Sequence, residues 1–144
     1  MTTIRDGTAS DADDIYRLLS GFVTSYRPDR AVFDDATFPR IIEVASAGGA
    51  EFLVAEQNSC VVGYLLAVRI PTLFAGGTIL ELLELTVAEP LRGRGTGSAL
   101  IRAAQAKARV AKDVEVSVPT RRAAAFYRAL GFQESAVHLT WPTA

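Results

Sequence analysis

The chain predicts a mixed α/β fold in one domain, with hairpins and one or two crossovers. Three observations carry this. Runs that are apolar or alternate apolar with polar residues read as strands, and segments with apolar residues at helical spacing lie between them. A length of 144 residues with 49% hydrophobic content supports one core but is short for two ordinary domains.

Thr2 to Asp6 reads as a first short strand. In "TASDADDIYRLLSGF", Ser10 is placed to cap a helix, and Asp11, Asp13 and Asp14 suit the positive end of its dipole. A polar connection from Tyr26 to Arg30 follows. Asp34 to Ala47 reads as a second helix, interrupted near Pro39 and stopped by Gly48-Gly49.

"EFLVAEQNSCVVGYLLAVRI" is two apolar runs around Gln57-Asn58-Ser59, the pattern of an antiparallel hairpin. "TILELLELTV" supplies the next strand. Ser98 to Ala111 is a helix with Leu100, Ile101, Ala104 and Ala108 at core-facing spacing. "DVEVSV" alternates as a strand, "TRRAAAFYRAL" is a helix closed by Gly131, and "FQESAVHLTW" alternates as a final strand. No internal repeat or low-complexity segment interrupts this order.

Composition narrows the function. The one cysteine, Cys60, excludes a disulfide framework or a cysteine metal cluster, and reads as a buried small hydrophobe. "MTTIRDGTAS" lacks a basic region followed by an apolar core, and "CVVGYLLAV" is far short of the roughly 18 residues of a membrane span, so a cytoplasmic protein is expected.

Net charge is −1, but residues 1–91 carry 6 basic and 13 acidic side chains and residues 92–144 carry 9 and 3, giving −7 and +6. A basic half suits a polyanionic ligand and an acidic half a cationic one, although ordinary solvated charge is an open alternative. Near-zero net charge without a basic stripe argues against nucleic acid as the main partner.

In "LRGRGTGSAL", three glycines and two arginines follow a strand and precede a helix. Glycine admits the dihedrals that let backbone N–H groups converge on an anion at a helix N-terminus. The spacing fits neither common phosphate loop. The dinucleotide fingerprint needs glycine where Ser98 or Leu100 stands, and no Gly-Lys-Ser/Thr occurs. A plain tight turn with solvated arginines remains a second reading of the loop alone.

Read as Arg92-x-x-Gly95-x-Gly97 after a strand ending at Val87, "LTVAEPLRGRGTGSALI" resembles the acetyl-CoA pyrophosphate signature of the GNAT N-acetyltransferases. "TRRAAAFYRALGF" resembles that family's C-terminal helix and strand start, and "IRDGTASDADDIYRLL" and "VGYLLAV" resemble its opening strand and helix and its third strand, so the likeness spans nearly the whole chain. Thr120 departs from the asparagine often found there, but threonine can still cap the helix. The resemblance implies one domain over residues 1–144, with a mostly antiparallel twisted sheet of six to seven strands flanked by about four helices.

It also implies acetyl transfer from acetyl-CoA to a primary amine by direct attack in a ternary complex. Arg92, Gly93, Arg94, Gly95, Thr96, Gly97 and Ser98 would hold the diphosphate, and main-chain groups of Leu85, Thr86 and Val87 would aim the thioester. Protons must also move, because an alkylammonium near pKa ~10.4 has to lose one and a thiolate near ~8.5 has to gain one.

Tyr127 matches the family's tyrosine that protonates the thiolate; alternatively it packs against Phe126. Glu84 and then Glu81 are the candidate bases, being carboxylates in an otherwise apolar strand. Their spacing of three puts them on opposite faces of a regular strand, unless a bulge of the kind the family has here intervenes. His138, the single histidine, alternates with Ala136 and Thr140 along the last strand and reads as surface or structural, with a place in the acceptor pocket as the alternative. No metal site can be assembled from one histidine, one cysteine and scattered acids.

The family places acceptor choice in the segments corresponding to residues 22–38 and 136–141, which makes Tyr26, Phe33, Asp34 and Asp35 candidate contacts for a cationic amine on a small molecule or peptide. Neither a membrane nor a nucleic acid is expected as partner, and a homodimer is left open. A non-catalytic acyl-CoA-binding module and a nucleotide-binding protein unrelated to CoA are the rival readings.

Overall fold

The structure is a computed structural model describing residues 1–21, 28–120 and 122–143. Five strands form one sheet in chain order: β1 (Thr2–Asp6), β2 (Ala50–Gln57), β3 (Cys60–Thr72), β4 (Gly77–Val87) and β5 (Glu115–Ser117). The first four pair antiparallel, and β5 lies parallel to β4. The helices are α1 (Ala12–Leu19), α2 (Arg30–Val32), α3 (Phe38–Ser46), α4 (Thr96–Ala111) and α5 (Ala124–Arg128).

The sheet separates two apolar layers. On one face Leu53, Leu65, Ala67, Leu80 and Leu82 pack against Leu100, Ile101 and Ala104 of α4 and Tyr127 of α5. On the other, Phe52, Val54, Tyr64 and Leu66 pack against Ile15 and Leu18 of α1 and Phe38 of α3. Successive strand residues alternate between these layers, which is why "FLVA" and "GYLLA" read as continuous apolar runs. The expected hairpin forms on Asn58 and Ser59, whose φ values of 52° and 62° suit a two-residue turn matched to strand twist.

The opening helix starts earlier than Ser10. Residues Ala9–Asp11 form a 3-10 turn after Thr8, and Asp11 folds inward, nearly buried, instead of lying in an exposed first turn. Both Asp11 carboxylate oxygens accept from the Arg5 guanidinium at 2.9 Å, and Oδ2 accepts from the Thr8 N–H at 2.8 Å. Burial opposes the Asp11 charge, but the hydrogen bonds from Arg5 and Thr8 outweigh it and hold the carboxyl below its ordinary range.

A depressed carboxylate pKa adds stability that is complete above the unfolded value of about 3.9 and is lost as pH falls through the folded value. Asp11→Asn is therefore expected to lower stability at neutral pH and to flatten its decline below about pH 4. Urea unfolding across that range checks this.

The second helical region also differs from the expectation of Asp34 to Ala47. It begins at Arg30, where Asp29 Oδ1 accepts from the N–H groups of Ala31 and Val32 at 2.9 and 3.1 Å. It passes through a π-helical turn over Phe33–Thr37 and continues as α3. Pro39 therefore interrupts nothing: it lies in the first turn of α3, where a missing N–H is tolerated.

At the other end, β5 covers only Glu115–Ser117 of the expected Asp113 to Val118, and α5 is shorter than the expected Thr120 to Leu130. Residues 133–143 are exposed and form no strand, so the sheet has five strands among the described residues instead of six to seven. Alternation specifies a strand only where an edge and a core receive it, and a three-residue β5 offers little of either. Cys60 is half-buried at the head of β3 instead of deep in the core.

One polar cluster ties the layers together. Arg69 of β3 bridges Glu51 of β2 at 2.7 Å and Asp113, just past α4, at 3.1 Å. Asp113 also accepts from the Thr78 hydroxyl of β4 at 2.6 Å, and its side chain is only 1% exposed.

Candidate active site

The site begins with a miscount in a strand. Glu84 pairs with Leu66 and Leu82 pairs with Ala67, so Leu83 is an extra residue in β4. Glu81, opposite Val68, and Glu84, opposite Leu66, consequently lie on one face, the face of α1 and α3, where regular spacing would have opposed them.

On that face Glu84 Oε1 accepts a hydrogen bond from the Tyr64 hydroxyl at 2.6 Å. Tyr64 is buried, and burial and then the neighbouring Glu84 charge push its phenol well above the ordinary tyrosine range. Thr86, opposite Tyr64, is also buried, and its hydroxyl has no partner among the described residues. Sequence reasoning does not single out Tyr64, because an aromatic residue in an apolar strand reads as core.

The same strand has a free edge. β5 pairs with β4 only at Ile79–Glu81, so the stretch from Leu82 to Val87 has no strand partner on that side among the described residues. Glu81 occupies the last paired rung, where it accepts from the Ser117 hydroxyl at 3.3 Å. Leu85, Thr86 and Val87 lie along the unpaired stretch, whose edge amides are available to a bound group.

The glycine loop follows directly. Gly93 and Gly95 have φ of +78° and +87°, a region that side-chain-bearing residues rarely adopt. Gly95 starts α4, and no side chain caps the helix, so the N–H groups of Thr96, Gly97 and Ser98 face outward with the positive end of the dipole. Arg92 turns back, its Nε donating to Val87 O at 3.1 Å, while Arg94 is exposed beside the loop. A diphosphate fits this uncapped, glycine-lined and cationic turn.

The two sequence signatures meet here. A Cβ placed on Gly97 would stand 3.5 Å from the Phe126 ring and 3.8 Å from Leu85, so loop, α5 and the free stretch of β4 are in contact. Thr120 Oγ1 accepts from the Ala123 N–H at 3.1 Å, but Ala123 is itself the residue before the first turn of α5 and no side chain caps that turn, so Thr120 braces the approach to the helix instead of capping it. Tyr127, next along, is nearly buried between Phe126 and Phe132, and burial raises its phenol pKa.

Tyr127 and Glu81 line one open cleft of about 1130 Å³, with Ser117, Thr120 and His138 in its wall. Glu84 is not part of that wall, although it shares a face of β4 with Glu81.

The expected acceptor contacts are scattered. Phe33 is 5% exposed and packs between Tyr16 and Phe38, a core residue instead of a surface contact. Its place in the π turn rotates it inward, which local spacing could not show. Asp34 is paired with Arg30 at 3.0 Å and Asp35 is exposed. Tyr26 lies outside the described residues.

Residues 48–134 match a family model described as an acetyltransferase (GNAT) domain. The chain belongs to the GNAT acetyltransferase family. No curated protein sequence matches it.

Solved structures give the GNAT fold across the chain's full length. A glucosamine-6-phosphate N-acetyltransferase from Arabidopsis thaliana superposes with a TM-score of 0.85 at 16% identity, over 100% of this chain and 99% of that one. A ribosomal-protein-alanine N-acetyltransferase from Brucella melitensis biovar Abortus 2308 gives 0.74 at 20% identity, over 100% and 99%. An aminoglycoside acetyltransferase from an uncultured soil metagenomic sample gives 0.75 at 21% identity, with the same coverage.

As in the expected GNAT arrangement, a mixed sheet carries the glycine loop between its fourth strand and a long helix. Among the described residues, no helix is long and apolar enough to cross a membrane. Among the same residues, no three His, Cys, Asp or Glu side chains converge as a metal site.

Proposed function

We propose that this GNAT protein transfers an acetyl group from acetyl-CoA to a primary amine by direct attack in a ternary complex. The observation that carries the reading is the unpaired stretch of β4, with a carboxylate on one face and a tyrosine in the layer under the other. Direct transfer needs a proton removed on the amine's side and one returned on the thiolate's side.

Acetyl-CoA supplies the activated acyl group, and the chain's own residues do the rest. The N–H groups of Thr96, Gly97 and Ser98, with Arg92, Gly93, Arg94 and Gly95, hold the diphosphate. Main chain at Leu85, Thr86 and Val87 fixes the thioester against the free edge, so that oxyanion charge meets fixed donors. Glu84 takes the amine's proton, directly or through water, and Tyr127 protonates the leaving sulfur.

Glu84 is preferred to Glu81 because it stands on the unpaired stretch, whereas Glu81 is engaged by Ser117 on the last rung. Glu81's place in the cleft beside Tyr127 keeps it as the second candidate.

The acceptor is a cationic amine on a small molecule or peptide, in keeping with the −7 charge of residues 1–91. The neighbours named above, whose names specify a glucosamine phosphate, a ribosomal-protein alanine and an aminoglycoside, are in line with amine chemistry on this fold. A cytoplasmic setting accords with this reading.

Thiol release from acetyl-CoA, measured across a panel of amines, tests the proposal. Acetyl-CoA binding by calorimetry without thiol release to any amine would reduce the chain to a binding module. Gly95→Ala serves as the donor-site variant. Nothing lies within 4 Å of an added Cβ, so the change acts only through the left-handed φ. The free variant loop is expected to relax out of that region, and restoring it on binding costs about 1–2 kcal/mol, which predicts roughly tenfold weaker acetyl-CoA binding. Undiminished affinity would remove the loop from the donor site.

A further inference from the structure

We propose that Tyr64 is a positioning residue for Glu84, holding its carboxylate toward the acceptor amine. The inference rests on the acetyl-transfer reading for its kinetic consequence, but its structural part stands on its own.

Three features single out the pair. Glu84 reaches this face only because Leu83 shifts the register, and a bulge leaves its neighbours less constrained by the ladder. The hydroxyl that meets it belongs to a buried ring fixed by its layer, with the Phe52 ring centroid at 6.1 Å, while Glu84 itself is half-buried. The contact is short, at 2.6 Å, and joins a neutral donor to a carboxylate, the stronger class of hydrogen bond. A strand carboxylate that would otherwise sample several rotamers is thus tethered through one oxygen, leaving the second oxygen for the substrate.

The tether does not come and go with pH. Burial and then the Glu84 charge push the Tyr64 phenol far above the ordinary range, so it stays a donor at working pH.

Other groups on this face are accounted for. Glu81 and, by the β5 register, Glu115 are the remaining ionisable side chains aligned on it from β4 and β5. The helices packed against it contribute Ile15, Tyr16 and Leu18 from α1 and Phe38 from α3, while Asp14 and Arg17 of α1 are bonded to the Val61 backbone, and Arg5 is paired with Asp11 and Glu56. Thr86 adds a hydroxyl but no charge.

The test uses the full chain as native protein, Tyr64→Phe, Glu84→Gln and the double variant. Phenylalanine keeps the ring packing and removes only the hydroxyl. In carbon NMR of glutamate-labelled protein at one neutral pH, the carboxyl signal lost in Glu84→Gln identifies Glu84, and that signal is expected to move in Tyr64→Phe because its 2.6 Å donor is gone. An unmoved signal overturns the inference whether or not the chain transfers acetyl groups.

In the transfer assay, Tyr64→Phe is expected to lower kcat about tenfold with acetyl-CoA affinity and the acceptor KM unchanged. The double variant is expected to be no slower than Glu84→Gln, because both changes act through one carboxylate. Independent, multiplying losses overturn the positioning role. A slow Glu84→Gln beside a native-like Tyr64→Phe also overturns it while leaving the acetyl-transfer reading intact. An inactive native chain defeats that reading alone, and the Glu84 carboxyl signal still decides the contact.

Discussion

Tyr127→Phe is expected to lower kcat by about 10²- to 10³-fold and to leave acetyl-CoA affinity within about twofold of the native chain. The ring lies 5.0 Å from Phe126 and 5.4 Å from Phe132, and phenylalanine preserves both contacts. Only the hydroxyl is removed, and with it, under the proposed mechanism, the proton for the departing sulfur. Because burial raises the Tyr127 pKa, the phenol keeps its proton past the ordinary value of about 10, so this residue should cause no alkaline fall in kcat below that pH. Steady-state thiol release with calorimetry checks the result. A kcat within a few-fold of native would return Tyr127 to the role of a packing aromatic.

The second large effect concerns stability. Asp113→Ala is expected to destabilise the fold by about 3–5 kcal/mol, seen in urea unfolding and as a fall in Tm on the order of 10 °C. The Asp113 side chain is 1% exposed and answers both Arg69 and the Thr78 hydroxyl. Its loss leaves the Arg69 guanidinium, itself 12% exposed, with Glu51 alone to balance it. Asp113 also marks where the chain leaves α4 for β5, and the next residue, Val114, donates its N–H to Thr78 O at 2.8 Å. A loss below about 1 kcal/mol would show that the cluster acts as an exposed surface pair.

Much of this architecture is legible in the sequence. Asn58-Ser59 between apolar runs names its own turn, and the glycine loop and α4 lie where local dihedral preference and helical spacing place them. The features that escape are those decided by non-local counts. The π turn at Phe33–Thr37 rotates Phe33 into the core by lengthening one helical turn, which no periodicity announces.

The pairing of Arg69 with Asp113, 44 positions apart, is likewise invisible until the sheet brings both ends together. Residues 133–143 show the converse failure, because their alternation is a strand signal that finds no adequate edge. In the site, Tyr127 and the two glutamates could be named as candidates, but whether the glutamates share a face depended on a single residue.

That residue, Leu83, makes β4 a strand of two parities. Before it, even positions belong to the α4 layer, as Leu80 and Leu82 do; after it, that layer takes the odd position Leu85. The even positions Glu84 and Thr86 fall on the far side, with α1 and α3.

Two related chains can therefore be compared along this strand only in two blocks, one on each side of the inserted residue. A gap placed one position away would assign a carboxylate to the wrong layer while every apolar residue still looked acceptable. Whether a relative shares this chemistry is thus a question of where its strand gains a residue, more than of which acids it carries.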